Sequence, residues 1–159
     1  MDGKPHDGSV PMNVQTTRFG MVEIDQNRII NFEAGLLGFS SYRRYVLLQP
    51  DDDGVFFWLQ SIESPELAFV VTDPSLWVAN YQATIRREQM DELQLGSLET
   101  AQVLVIVNKY DRSLTGNLQG PLVVNLDNYQ GVQLVLAEKK WTTRHEIVQL
   151  GESAQVATA

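Results

Sequence analysis

The sequence predicts an all-β fold, a small antiparallel β-barrel with one or two short helices. Many short apolar runs alternate with turn residues along a chain of 159 residues, the length of one domain. Only one segment has the residue spacing of an amphipathic helix. No linker or internal repeat divides the chain. A barrel is favoured for about nine strands, because a closed sheet leaves no long unpaired edge.

Short apolar or β-branched runs bounded by turn residues are the candidate strands. They are residues 19–25, 28–32, 45–49, 55–62, 68–72, 81–85, 103–107, 122–126, 132–136 and 141–148. The first two runs form a predicted hairpin across residues 26–27, and residues 122–126 form another with 132–136. An apolar corner lies between glycines at residues 36–39 (LLGF). Residues 87–95 (REQMDELQL) are the predicted helix, because they combine strong helix formers with apolar side chains three apart.

The two ends of the chain lack apolar periodicity. Residues 1–14 are polar and interrupted by Gly and Pro, and residues 151–159 (GESAQVATA) also lack the periodicity needed to pack on a core. We expect both to be flexible, which leaves residues 15–150 as one domain. The start has no hydrophobic stretch typical of a signal peptide, and no apolar run approaches the ~20 residues that span a bilayer. The expected location is the cytoplasm, without membrane contact.

Net charge indicates the kind of partner. Twelve Lys and Arg against twenty Asp and Glu give a formal net charge of −8. Such a chain repels the phosphate backbone on average, so direct binding of nucleic acid is not expected. A basic protein partner would be attracted, mainly through faster encounter. The same acidity also serves solubility. Three acids at residues 51–53 predict a solvated turn, since they lack the ligand spacing of a calcium loop.

Residues for catalysis are sparse. The chain has no Cys and two His residues, His6 near the start and His145 in a late candidate strand, so the usual zinc ligand sets are missing. It contains no G-x-S-x-G nucleophile motif and no glycine-rich phosphate-binding motif. We therefore expect no enzyme activity, no metal and no cofactor. The adjacent aromatics Phe56, Phe57 and Trp58 are expected in core packing, with Phe57 on the opposite face from the other two.

Four segments in a fixed order carry a resemblance to a known family. They are residues 17–39, with TRFGMVEI and GLLGF, residues 58–74, with WLQS, AFVV and DP, residues 114–126 (LTGNLQGPLVVNL) and residues 131–145, with GVQLVL and RH. Each is an ordinary strand with a turn, but their order and spacing together resemble the FliW family of flagellar assembly factors. The resemblance covers about residues 15–150.

The resemblance implies a small antiparallel β-barrel without catalysis. Members of the family bind flagellin in the cytoplasm, and they bind CsrA, an RNA-binding translational repressor. Flagellin and CsrA exchange on the factor, so accumulated flagellin frees CsrA to repress flagellin mRNA. After flagellin export the factor captures CsrA, and translation resumes.

Polar positions within the matching segments are the predicted partner-binding residues, because core packing explains the apolar matches. These are Gln60, Ser61, Asp73, Asn117, Asn125 and Gln133. Glu63 and Glu66 flank a Ser-Pro turn and would supply negative charge toward a basic partner. Each residue also has a structural alternative, such as capping a turn or bonding to its own loop.

Two other functions stay open from the sequence. The protein could be a flagellin-specific chaperone that lacks the CsrA contact, since the same charge and fold permit this role. It could instead be a small-molecule-binding β-barrel or a hydrolase that uses His145, although no activated nucleophile accompanies that residue.

Overall fold

A closed ring of β-strands forms the centre of the computed structural model, which describes residues 8–50 and 54–150. The strands are β1 Pro11–Thr16, β2 Gly20–Asp25, β3 Ile30–Phe32, β4 Arg44–Leu48, β5 Phe56–Ser61, β6 Ala68–Thr72, β7 Ala101–Tyr110, β8 Ser113–Gly116, β9 Leu122–Asn125, β10 Gln130–Gln133 and β11 His145–Gln149, and the helix is α1 Arg87–Leu93. Seven strands make the ring in the order β7-β6-β5-β4-β3-β10-β9, and β9 returns to β7. The predicted all-β barrel with a short helix is confirmed.

The long strand β7 closes the ring because it reaches three neighbours. Residues 101–104 pair with β9, residues 105–107 pair with β6, and residues 107–110 pair with β8. Strand β8 also pairs with β11, so these two strands extend the sheet beyond the ring. Neighbours in the ring are antiparallel except β3 and β10, which run parallel.

Alternation along each strand fills the barrel interior. Alternate residues of the ring strands, among them Phe32, Tyr45, Leu59 and Leu104, form one buried apolar cluster. Tyr45 is fully buried, with its ring edge-on to Phe32 at 5.7 Å between centroids. The interior is therefore a packed core, as expected for a barrel of this size.

The predicted orientation of the three adjacent aromatics on β5 is confirmed. Phe57 packs against the interior cluster. Phe56 and Trp58 lie on the outer face, where Phe56 stacks on Trp77 at 5.6 Å and Trp58 meets Phe19 edge-on at 6.0 Å. Period-two alternation therefore holds along this strand.

Two segments cover parts of the outer face of the ring. Residues 78–95, which include α1, pack on β7, β9 and β10 in a second apolar cluster that contains Leu93 and Val105. The β1–β2 hairpin covers β4 in a third cluster, where Val14 meets Val46. Strands beneath these covers are buried on both faces, which explains their nearly continuous apolar sequences.

The predicted hairpin of residues 19–25 with 28–32 is wrong. Strand β2 pairs along its whole length with β1, whereas β3 lies between β4 and β10. Residues 26–28 form one turn of 3-10 helix that Asp25 caps, so the chain turns away and β3 enters the ring. Because β1 begins at Pro11, folded structure starts before the predicted boundary at residue 15.

Further differences lie in the second half of the chain. Residues 81–85 are irregular, because their apolar side chains cover the outer face of the ring without a neighbouring strand. Helix α1 ends two residues early, since Gln94 adopts a left-handed conformation with φ 58°. Strand β8 was not predicted. Strand β11 begins at His145, later than the predicted start at residue 141.

Three expectations fall outside the described residues. They are the flexibility of residues 1–7, the solvated acidic turn at residues 51–53 and the flexibility of residues 151–159. Among the described residues, none of the helices has the length and hydropathy that a membrane-spanning helix needs.

Candidate functional site

The apolar corner between β3 and β4 has a backbone that its glycines permit. We call residues 35–39 the corner. Gly35 has φ +71°, and a Cβ there would lie 2.6 Å from the Cα of Ser40. A side chain is excluded both by this contact and by the left-handed conformation. Leu36 and Phe39 form an isolated β-bridge across the corner, and Leu36 enters the barrel interior.

The tip of the corner projects apolar side chains outward. Leu37 is 62% exposed and Phe39 is 37% exposed. The Phe39 ring also lies edge-on to Phe69 at 5.1 Å, and Phe69 in turn contacts Tyr45 in the barrel interior. Phe39 therefore joins the exposed tip to the buried core.

Gln133 holds the corner in place. Its Oε1 accepts a hydrogen bond from the backbone N–H of Leu37 at 2.8 Å, and its Nε2 donates to the carbonyl of Gly120 at 2.9 Å. The N–H of Gly120 donates to Asn117 Oδ1 at 2.9 Å. The structure thus brings the predicted residues Gln133 and Asn117 together through Gly120, in one network behind the corner.

Gln60 and Ser61 shape the turn between β5 and β6, residues 62–67, which we call the acidic turn. Gln60 Nε2 donates to the carbonyls of Pro65 and Leu67, each at 3.2 Å. Ser61 Oγ accepts from the N–H groups of Glu63 and Ser64 at 3.1 and 3.0 Å. Both predicted residues are fully buried, so they determine the shape of the turn from within.

Glu63 connects the acidic turn to the strand that follows the corner. Its Oε1 accepts from the backbone N–H of Arg43 at 3.0 Å, and its Oε2 lies 3.5 Å from Nε of Arg44. The start of β4 pairs with the end of β5, so the corner and the acidic turn lie at one end of the barrel. We call this the corner end. Glu63 and Glu66 are exposed there.

Asp73 and Asn125 lie at the opposite end, where β6 and β9 finish. Asp73 Oδ1 accepts from the N–H of Ser75 at 2.9 Å and caps a short turn. Asn125 Nδ2 donates to the carbonyl of Leu93 at 2.9 Å and fastens the end of α1 to β9. The structure does not bring these two residues to the corner end, and their part in partner binding stays a prediction.

Electrostatics at the corner end affect a buried tyrosine. Burial, together with the nearby Glu63 carboxylate and Tyr42, raises the pKa of Tyr45 to about 12. The hydroxyl of Tyr45 has no hydrogen-bond partner among the described residues. Tyr45 is therefore neutral at physiological pH and leaves a polar atom unpaired beneath the corner.

Sequence reasoning overlooked the exposed tip as a binding feature. It identified the LLGF segment as an apolar corner, and the glycines around Leu37 were the available signal, because a turn cannot bury every side chain.

His145, the candidate for a hydrolase, lies on β11 opposite Gly116. No group of three or more His, Asp or Glu residues within the described ranges is placed to hold a metal ion.

Comparisons with known proteins agree on one family. A family model described as FliW protein matches residues 13–147. The flagellar assembly factors FliW of Bdellovibrio bacteriovorus and Alkaliphilus metalliredigens are 38% and 37% identical, over 86% and 87% of this chain and 79% and 87% of their own lengths. The chain in a crystal structure of a flagellar assembly factor FliW is 30% identical in sequence, and the two folds match with a TM-score of 0.79. The match covers 86% of this chain and 97% of the other chain.

Proposed function

Because the chain belongs to the FliW family of flagellar assembly factors, we propose that it is a non-enzymatic protein that binds flagellin and CsrA in exchange. It acts in the cytoplasm through protein–protein contacts and does not bind nucleic acid directly. Flagellin bound to it leaves CsrA free to repress flagellin mRNA, and export of flagellin lets it capture CsrA. Translation of flagellin thereby follows the amount of flagellin in the cell.

The surface at the corner end is the observation that carries this proposal. Leu37 and Phe39 expose apolar area there, and the adjoining acidic turn carries Glu66 and also Glu63, whose carboxylate is paired with Arg44. Interfaces combine an apolar centre with a polar rim, and a few well-packed residues near the centre supply most of their binding energy. A partner with an apolar segment and basic residues fits such a surface.

The predicted polar residues support this surface from behind. Gln133 and Asn117 fix the corner, while Gln60 and Ser61 fix the acidic turn. Rigid support of this kind reduces the ordering cost of binding. The formal charge of −8 adds attraction toward a basic partner such as an RNA-binding protein.

Titration calorimetry with purified flagellin and purified CsrA tests the proposal. We expect the protein to bind each one, and flagellin to displace CsrA from a preformed complex. Absence of binding to both at micromolar concentrations would refute the proposal. Tight flagellin binding without any effect on CsrA-repressed translation of a flagellin reporter would instead favour a flagellin-specific chaperone.

A further inference from the structure

The barrel interior opens at the end opposite the corner. A pocket of ≈ 90 Å³ lies there between β3, β4, β7 and β9. Ile30, Leu47, Leu104 and Val124 form its apolar walls, and the exposed Arg28 and the half-buried Tyr129 also line it. We call this the mouth pocket. It shares no residue with the corner or the acidic turn.

Arg28 gives the mouth pocket a positive charge in an acidic protein. Its side chain is exposed, and although its charge acts on the nearby Asp25 carboxylate, no salt bridge within 4 Å joins it to the described residues. The nearby carboxylate of Asp25 is already engaged, because its Oδ1 accepts from the N–H groups of Val10 and Asn27 at 3.1 and 3.0 Å. The guanidinium therefore has no close ion pair with Asp25, and it can also attract an external anion beside the apolar opening.

Tyr129 lines the pocket in a backbone conformation that non-glycine residues rarely adopt. Its φ is +57°. Two backbone hydrogen bonds maintain it, one from its N–H to the carbonyl of Asn125 at 2.7 Å and one from the N–H of Asn31 to its carbonyl at 2.9 Å. Backbone strain persists where the surroundings fix it, and it clusters at binding sites. Here it holds an aromatic ring against the interior cluster, where the ring lines the pocket.

We infer that the mouth pocket is a docking site for one aliphatic side chain of a partner protein, with a carboxylate next to it in the partner's sequence. The carboxylate is expected on charge grounds, because Arg28 offers a planar pair of donors. Sites that enclose a small molecule measure roughly 300 Å³ or more, so this pocket admits a side chain while the rest of the ligand stays outside. A peptide segment fits that geometry better than a free organic acid.

Methyl NMR of the whole chain, labelled at Ile, Leu and Val methyl groups, tests this inference. The probe is acetyl-Gly-Leu-Asp-Gly-amide, with the Leu-Asn and Gly-Asp versions as controls. We expect saturable shifts at Ile30, Leu47 and Val124 with the first peptide and weaker binding, by about threefold, with the Leu-Asn peptide. The Gly-Asp peptide should cause no saturable shift.

Variants at surface arginines identify the charge that matters. Arg28→Gln should weaken binding of the Leu-Asp peptide to the level of the Leu-Asn peptide and leave the Leu-Asn peptide unaffected. Arg87→Gln, at an exposed position on α1, is the matched control and should change neither. Both substitutions are at exposed side chains, so the fold should persist.

Three results would overturn the inference. The first is the absence of saturable methyl shifts up to about 10 mM peptide, because a dissociation constant above that concentration is too weak for a useful contact. The second is equal binding of the Leu-Asp and Leu-Asn peptides. The third is tighter binding of 4-methylpentanoate than of the Leu-Asp peptide, which would identify a small-molecule site. None of these outcomes depends on flagellin or CsrA, so the proposed function is tested separately.

Discussion

The barrel wall and the corner end are held by different kinds of interaction. In the wall, alternating apolar residues such as Leu59 and Leu104 fill the interior, and similar apolar residues could replace many of them. At the corner end, two glycines and a few side-chain-to-backbone hydrogen bonds determine the shape. The wall therefore depends on apolar residues at alternate positions, whereas the corner end depends on the identity of particular residues. The exposed apolar tip lies in the second region.

Substitutions of the two glycines in the corner should differ most in their effect on the free energy of unfolding. In Gly35→Ala the new Cβ meets backbone atoms of Phe39 and Ser40 at 2.8 and 2.6 Å, and it also occupies a left-handed conformation. We expect the free energy of unfolding to fall by roughly 3 kcal/mol or more. Gly38→Ala, with φ +85° but no atom within 4 Å, should cost only about 1 kcal/mol. Urea denaturation measures both. Equal losses would show that the corner relaxes around a side chain.

Alkaline pH should affect the wall through Tyr45. Its folded pKa of about 12 exceeds the ordinary value near 10, so its contribution is fully present below about pH 10. Stability then falls as pH rises toward 12, because the unfolded chain releases the proton first, with a loss of up to roughly 3 kcal/mol. Tyr45→Phe should reduce this loss. At pH 7 it should leave stability unchanged or slightly higher, since the buried hydroxyl has no partner among the described residues.

Tyr81 is the control for the effect of Tyr45→Phe on stability at pH 7. Burial raises the pKa of Tyr81 as well, but its hydroxyl donates to the carbonyl of Leu118 at 2.7 Å in the outer cluster. Tyr81→Phe should therefore lower the free energy of unfolding at pH 7 by about 1–2 kcal/mol. Equal effects of the two Phe substitutions at neutral pH would contradict the assignment of Tyr45 as unpaired.

Much of the wall could be predicted from sequence, because alternation shows which residues share a face. Alternation does not show which strand is the neighbour. Strand β2 pairs with β1, whose residues look too polar for a strand, and residues 81–85 have the side-chain pattern of a strand but no partner. The polar residues behind the corner were identified by resemblance, but their contacts were not. Gln133 and Leu37 are 96 positions apart, and only the closed ring brings them together.

Removing the Gln133 side chain should loosen the corner without disturbing the wall. Gln133→Ala loses hydrogen bonds to Leu37 and Gly120, and we expect a cost of about 1–3 kcal/mol. Hydrogen exchange at the Leu37 amide should accelerate more than exchange in β5. Gln130→Ala, which loses one longer contact of 3.3 Å with Asn31, should cost less than about 1 kcal/mol. If both variants behave alike, Gln133 is not what fixes the corner.

The smallest effect on stability, and the most informative for function, should come from the tip. Leu37→Ala removes an exposed side chain, so the free energy of unfolding should change by no more than about 0.5 kcal/mol. If Leu37 is an interface anchor, the affinity for a partner should fall about tenfold. Leu98→Ala is the matched control, because Leu98 is 60% exposed and lies outside the corner. Calorimetry with flagellin and with CsrA measures both variants.

Comparing how far Leu37→Ala lowers the affinity for flagellin and for CsrA would also show whether the two partners bind the same surface. A loss for both places them on one surface, as direct exchange requires. A loss for flagellin alone would mean that CsrA binds elsewhere and that exchange is transmitted through the barrel. Unchanged affinity for both would remove the corner end from the interface. Because Leu37 contributes little to stability, such changes in affinity would report contact with the partner rather than damage to the fold.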